Sequence, residues 1–242
     1  SASQNSLNKI ETRGYFMISE QNYNKLLEKF GDISSFAIYK ESKNNDKATS
    51  ENISYEEAIE NHQKDYINPS NILLMVNPSA KREQSPDSNF SSFHHSNIND
   101  RHLRFLTMKT STFWKNLYGS YVTDLFSDVV ESVMDNLISA VKDDNKKDYR
   151  KQSYKKLIEQ LEILSQDSKE DKLNIYVCGA LSKSKRKDFI FFIEELIEEI
   201  SENSDLNIEL SFYAVYHPGY QNLKKLIQGG CEKIVKHSMK VE

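Results

Sequence analysis

The sequence predicts an α/β fold, a three-layer sandwich with a mainly parallel central sheet flanked by helices. Three observations predict it. Apolar runs at 72–76 (ILLMV), 174–178 (NIYVC) and 208–216 suit strands buried on both faces. Segments 129–141 and 149–164 carry apolar residues three and four apart, as sheet-covering helices do. Strand-like and helix-like segments also alternate along the chain, the signature of crossover connections.

The elements follow in order. Residues 15–18 read as a short strand, Ser19 as the N-cap of a helix over 22–30, and Gly31 as its stop. A second strand is expected at 35–39. Residues 41–51 are polar and unpatterned, and Ser54 with Glu56 and Glu57 opens a short helix to about Gln63. Residues 1–65 are therefore expected as an N-terminal extension packed on a core domain of 66–242. Pro69 introduces the strand at 72–76. The pattern then fails from 77 to 109, a Ser-, Asn- and His-rich stretch whose length points to function. Residues 112–118 read as a helix ended by Gly119, 121–126 as another buried strand end, and 187–200 as a helix with an acidic outer face. A closing helix is expected around 223–235.

The chain has 242 residues, 11% of them aromatic, which supplies bulky core material that a disordered chain lacks. No window approaches 18 uninterrupted apolar residues, and Ser1–Asn5 lacks the charged-then-apolar layout of a signal peptide, so a cytoplasmic protein without a membrane partner is expected. Two cysteines, Cys178 and Cys231, are too few for a disulfide scaffold or a zinc cage. His94, His95, His102 and Asp100 stand close in sequence without the regular spacing of a metal site, so no metal is expected. A net charge of −4 argues against unspecific coating of nucleic acid but leaves local basic faces open. The sharpest such face is Lys183, Lys185, Arg186 and Lys187, at an expected helix N-terminus where backbone N–H groups favour phosphate. Arg101, Arg104 and Lys109 form a second.

In parallel sheets, ligands bind beyond the carboxyl ends of the strands. Three polar clusters stand there: Asn77-Pro78-Ser79, Thr123-Asp124 and His217-Pro218-Gly219. Each proline fixes φ just past a strand and holds the preceding polar residue extended toward the crevice. The order and content of these clusters resemble the uracil-DNA glycosylase superfamily over roughly 72–223. The Asn77-Pro78-Ser79 turn, the loop of Phe90 and Phe93, Thr112-Phe113-Trp114 and Val122-Thr123-Asp124-Leu125 are similar to its mismatch-specific branch. The pairing of Asn77 with His217 is similar to the single-strand-selective branch.

The resemblance implies a DNA repair enzyme, a base-excising hydrolase that cleaves the N-glycosidic bond of a modified or mismatched base in single- or double-stranded DNA, with no cofactor. Asn77 and His217 would be catalytic, with Asn77 holding water and His217 donating to the departing base. Phe93 or Phe90 would stack on the flipped base, with Asp124 and Ser79 beside it. Lys183, Lys185, Arg186, Lys187, Gly219 and Tyr220 would meet the DNA. Two departures stand out. Asp124 replaces an Asn that pairs with the uracil edge, and a carboxylate favours an amino group. Gly219 replaces the serine that usually grips phosphate, while still permitting close approach of the backbone. The alternative is a non-catalytic module of the same fold that binds nucleic acid, nucleotide or protein.

Overall fold

A computed structural model describes residues 17–39, 55–60, 67–77, 90, 92–94, 98–131 and 133–238. Helix α1 (Glu20–Phe30) is capped by Ser19, whose Oγ accepts the Asn22 N–H, and leads into β1 (Ser34–Phe36). Then come α2 (Tyr55–Glu60), β2 (Asn68–Met75), α3 (Ile98–Lys109), a 3-10 turn over Phe113–Leu117, and β3 (Ser120–Asp124). Two helices follow, α4 (Met134–Lys142) and α5 (Lys147–Ser165). The chain closes with β4 (Lys172–Cys178), α6 (Lys183–Asn203), β5 (Glu209–Val215), α7 (Leu223–Gln228) and β6 (Glu232–Ser238).

These strands form one six-stranded mixed sheet of order β1-β3-β2-β4-β5-β6. The inner pairings β3–β2, β2–β4 and β4–β5 are parallel, whereas β1 on β3 and β6 on β5 are antiparallel. Alternation along the inner strands divides the core. Ile72, Leu74, Ile175, Val177, Phe212 and Ala214 face α1, α4, α5 and α6, while Leu73, Met75, Cys178 and Val215 face α3, the 3-10 turn and α7. Among the described residues no helix is long and apolar enough to cross a membrane.

Several elements depart from the sequence expectation. The closing helix stops at Gln228, because Gly229 adopts a left-handed φ of 64°, and the chain returns as β6. Lys233 and Lys236 on this edge strand are the charges by which exposed edges resist further pairing. Residues 98–109, expected as loop, form α3. Its buried side includes Asp100 and Thr107 beside Leu103 and Leu106, so no clean apolar stripe marks it in the sequence. Residues 112–118 tighten to a 3-10 turn, and α4 begins at Met134 rather than at 129. The expected strand at 15–18 lies partly outside the described residues; residues 17 and 18 are not in a strand, and the Ile18 N–H donates to the Ile67 carbonyl.

Residues 17–39, expected as an extension, supply an edge strand and a core helix. Tyr23, Leu26 and Phe30 of α1 are buried with Phe36 in the larger core cluster, each contributing about 1.5–3 kcal/mol of burial. The Asp167 carboxylate beyond α5 accepts from the Ser19 N–H (3.0 Å), the Ser19 hydroxyl (2.9 Å) and the Asn22 amide (2.7 Å), which pins the start of α1 to the body of the protein.

Candidate active site at the carboxyl edge of the sheet

Register brings the sequence-predicted clusters to one edge. Met75 of β2 stands beside Asp124 of β3, and Cys178 of β4 beside Val215 of β5, which makes a continuous row at the strand ends. Asn77 and His217 lie two residues past Met75 and Val215. Their strands are separated only by β4, which at the usual strand spacing puts the ends of β2 and β5 about 10 Å apart. Between them β4 turns at Gly179, whose φ of 100° suits a residue without Cβ and which passes close to the His217 Cβ.

His217 opens a β-turn in which the Tyr220 N–H donates to the His217 carbonyl at 2.8 Å, with Pro218 at the position that favours its fixed φ. Within this turn His217 Nδ1 accepts the Gly219 N–H at 2.9 Å. An acceptor nitrogen carries no proton, so the ring hydrogen is on Nε2. Burial pushes the imidazole pKa down to about 4, which keeps the ring uncharged at neutral pH. Its chemical identity is therefore that of a neutral hydrogen-bond donor and a poor base.

The turn is held from α3. The His102 ring meets the Pro218 carbonyl through Nδ1 at 2.8 Å, and since a carbonyl only accepts, that nitrogen donates. The Asn99 side chain fills the space above Gly219, where any Cβ would fall 2.2 Å from Asn99 Oδ1. Sequence reasoning misses Asn99 and His102 as positioning residues. Their three-residue spacing on one helical face is the signal that points to them, once the helix itself is known.

Asn77 is fixed from the other side. Its amide nitrogen donates to the Val129 carbonyl at 3.1 Å and the Glu131 carbonyl at 2.7 Å, in the loop after β3. Both N–H groups are thus engaged within the protein, and the carbonyl oxygen of an amide side chain can act only as an acceptor. Asp124 lies deeper, 3% exposed, on the floor of the edge. Burial first, and then the nearby Asp124 charge, push the Cys178 thiol far above its ordinary range, so Cys178 is no nucleophile.

The two phenylalanines part company. Phe90 is fully buried on the opposite side of the sheet, edge-on to Tyr23 and Phe36, and is core rather than a stacking residue. Phe93 is partly buried against the core cluster on the α3 side, at a left-handed φ of 67° that costs about 1 kcal/mol or more. Its neighbours anchor it: the Ser92 hydroxyl donates to the Asp32 carbonyl, and His94 Nε2 lies 2.6 Å from the Ser35 hydroxyl and 3.0 Å from the Phe36 carbonyl. His94 and His102 thus serve local structure, and among the described residues no group of three or more His, Cys, Asp and Glu gathers as a metal site. Ser79 and His95 lie outside the described residues.

The basic cluster at the start of α6 is largely committed within the protein. The Arg186 guanidinium forks onto Glu232 at 3.0 and 2.9 Å and reaches the Ala180 and Leu181 carbonyls, while Lys185 pairs with Asp135. Lys183 and Lys187 remain exposed. Tyr220, expected at the DNA, stacks on Tyr216 with centroids 4.6 Å apart and planes 9° apart.

No family model, curated protein or solved structure matches the chain. Its function is therefore read from this edge alone.

Proposed function

We propose that the protein is a uracil-DNA glycosylase-like hydrolase that excises a modified or mismatched base from DNA, on a three-layer α/β sandwich of the glycosylase kind. The supporting observation is the fixed, neutral imidazole of His217, with its Nδ1 held by the Gly219 N–H and its Nε2–H left as the donor. Breaking an N-glycosidic bond develops positive charge on the sugar and negative charge on the departing base, and a positioned donor stabilises charge where it appears. In this reading the base leaves as an anion that accepts from Nε2–H. Water oriented by the Asn77 carbonyl oxygen adds to the sugar carbon and then loses its proton to solvent. Phe93 stacks on the extruded base. We place this activity in the cytoplasm, in DNA repair, with no cofactor or metal assigned a step.

The depth of Asp124 favours a second reading, a non-catalytic module on the same fold, because a carboxylate 3% exposed is poorly placed to read a base edge. One experiment separates the two. Alkali cleavage of labelled single- and double-stranded oligonucleotides carrying uracil, mismatched thymine, hypoxanthine or modified cytosine should yield breaks with the native protein and none with His217→Ala. Binding without breaks on every substrate supports the module.

A further inference from the structure

The layer that holds the His217 turn carries most of its charge with one sign. Residues 98–118 and 216–231 contain six cations, Arg101, Arg104, Lys109, Lys115, Lys224 and Lys225, against one carboxylate, Asp100, in a chain whose carboxylates outnumber its cations 36 to 32. Asp100 is buried, whereas Arg101, Lys109, Lys115, Lys224 and Lys225 are exposed. The segments form one continuous layer: the Trp114 indole donates to the Leu226 carbonyl at 2.9 Å, Gly229 backs onto Phe113, and α3 grips the 217–219 turn.

Large apolar side chains stand among these cations. Ile98 is 56% exposed, Phe105 40% and Leu223 46%. Ile98, Arg101, Phe105 and Lys109 recur at three- and four-residue spacing, so they line one outward stripe of α3. Cations alone suit any polyanion. Cations alternating with exposed aromatic and aliphatic surface suit a strand whose phosphates and unpaired base faces are both available, since a duplex hides its base faces in the stack.

We infer that the outer face of α3 and α7 is a docking track for single-stranded nucleic acid, running from the crevice edge along the stripe of Ile98, Arg101, Phe105 and Lys109 and across Lys224 and Lys225. This track differs from the α6 cluster, two of whose cations are spent on Asp135 and Glu232. The inference stands on charge and exposure and does not require base excision.

The test is fluorescence anisotropy of a labelled mixed-sequence single strand, and of its duplex, over a salt series. The quadruple variant Arg101→Glu, Lys109→Glu, Lys224→Glu, Lys225→Glu should lower affinity at least tenfold and flatten the slope of log affinity against log salt by about 3, at roughly 0.7 for each phosphate no longer neutralised. Lys25, Lys146, Lys147 and Lys155 changed to Glu on the opposite layer alter net charge equally and should move neither by as much. Phe105→Ala should weaken single-strand binding at least about fivefold. The inference is overturned by equal losses in the two quadruple variants, by Phe105→Ala binding unchanged, by duplex bound as tightly as single strand, or by no binding to the native protein. Because His217 stays intact in all of these variants, a failed track does not decide the base-excision question.

Discussion

Acidification isolates His217. Its pKa falls from the ordinary 6.5 to about 4 because the folded protein disfavours the charged ring, while the unfolded chain restores the ordinary value. Between these two values the unfolded state binds the proton more readily, so stability falls as pH falls. The contribution is intact above about pH 6.5 and fully lost below about pH 4. At about 1.4 kcal/mol per unit the complete loss is about 3 kcal/mol, of which about 2 kcal/mol is gone by pH 5. Urea unfolding at pH 7 and pH 5 should therefore show the native protein losing about 2 kcal/mol more than His217→Gln, since carboxylates titrate alike in both. A ring-nitrogen NMR titration supplies the direct value and should find the Nε2–H tautomer at pH 7. Parallel losses in the two proteins, or a midpoint near 6.5, would refute the argument that burial and the Gly219 N–H hold this ring neutral.

Other perturbations test the supports. Gly219→Ala should cost about 1–3 kcal/mol, because its Cβ falls 2.2 Å from Asn99 Oδ1, and adding Asn99→Ala should recover most of that in urea unfolding. Asp167→Ala strips an acceptor from three donors at the head of α1; thermal unfolding should report a loss of about 1–3 kcal/mol, and limited proteolysis should cut ahead of Tyr23 sooner. Arg150 is 2% exposed and bonds Glu195 as well as the Val141 and Asp143 carbonyls, so Arg150→Ala should cost about 3–5 kcal/mol in the same assay, much of it from leaving Glu195 without its guanidinium partner, with the Tyr154 hydroxyl still donating to it.

The inner sheet was legible because strands buried on both faces are rich in apolar residues, as 72–76 is throughout and 208–216 is apart from Glu209 and Ser211. Of its two edges, the strand expected at 35–39 stands as the short Ser34–Phe36, whereas the other was not legible: Glu232–Ser238 carries two lysines and a histidine, so it lacks the apolar signal by which the inner strands announce themselves. Helix α3 was hidden for a different reason. Asp100 and Thr107 sit on its buried side, with the Thr107 hydroxyl donating to the Leu103 carbonyl within the helix, so polar residues occupy positions that a pattern search expects to be apolar.

At the site, His217 and Asn77 were legible because a proline after a strand declares where a polar side chain must stand. Their orientation was not, since it depends on Asn99, His102 and the carbonyls of Val129 and Glu131, none adjacent in sequence. That dependence bears on the chemistry. The bond from the Gly219 N–H removes Nδ1 as a base and fixes Nε2–H as a donor, a property equally useful for recognising an acceptor and for stabilising one that gains charge. What divides recognition from catalysis is whether the donor interaction strengthens as a bond breaks. His217→Ala should then weaken ground-state binding only slightly while lowering turnover by about 100-fold or more if the base departs as an anion. Equal losses in binding and turnover would assign His217 to recognition alone.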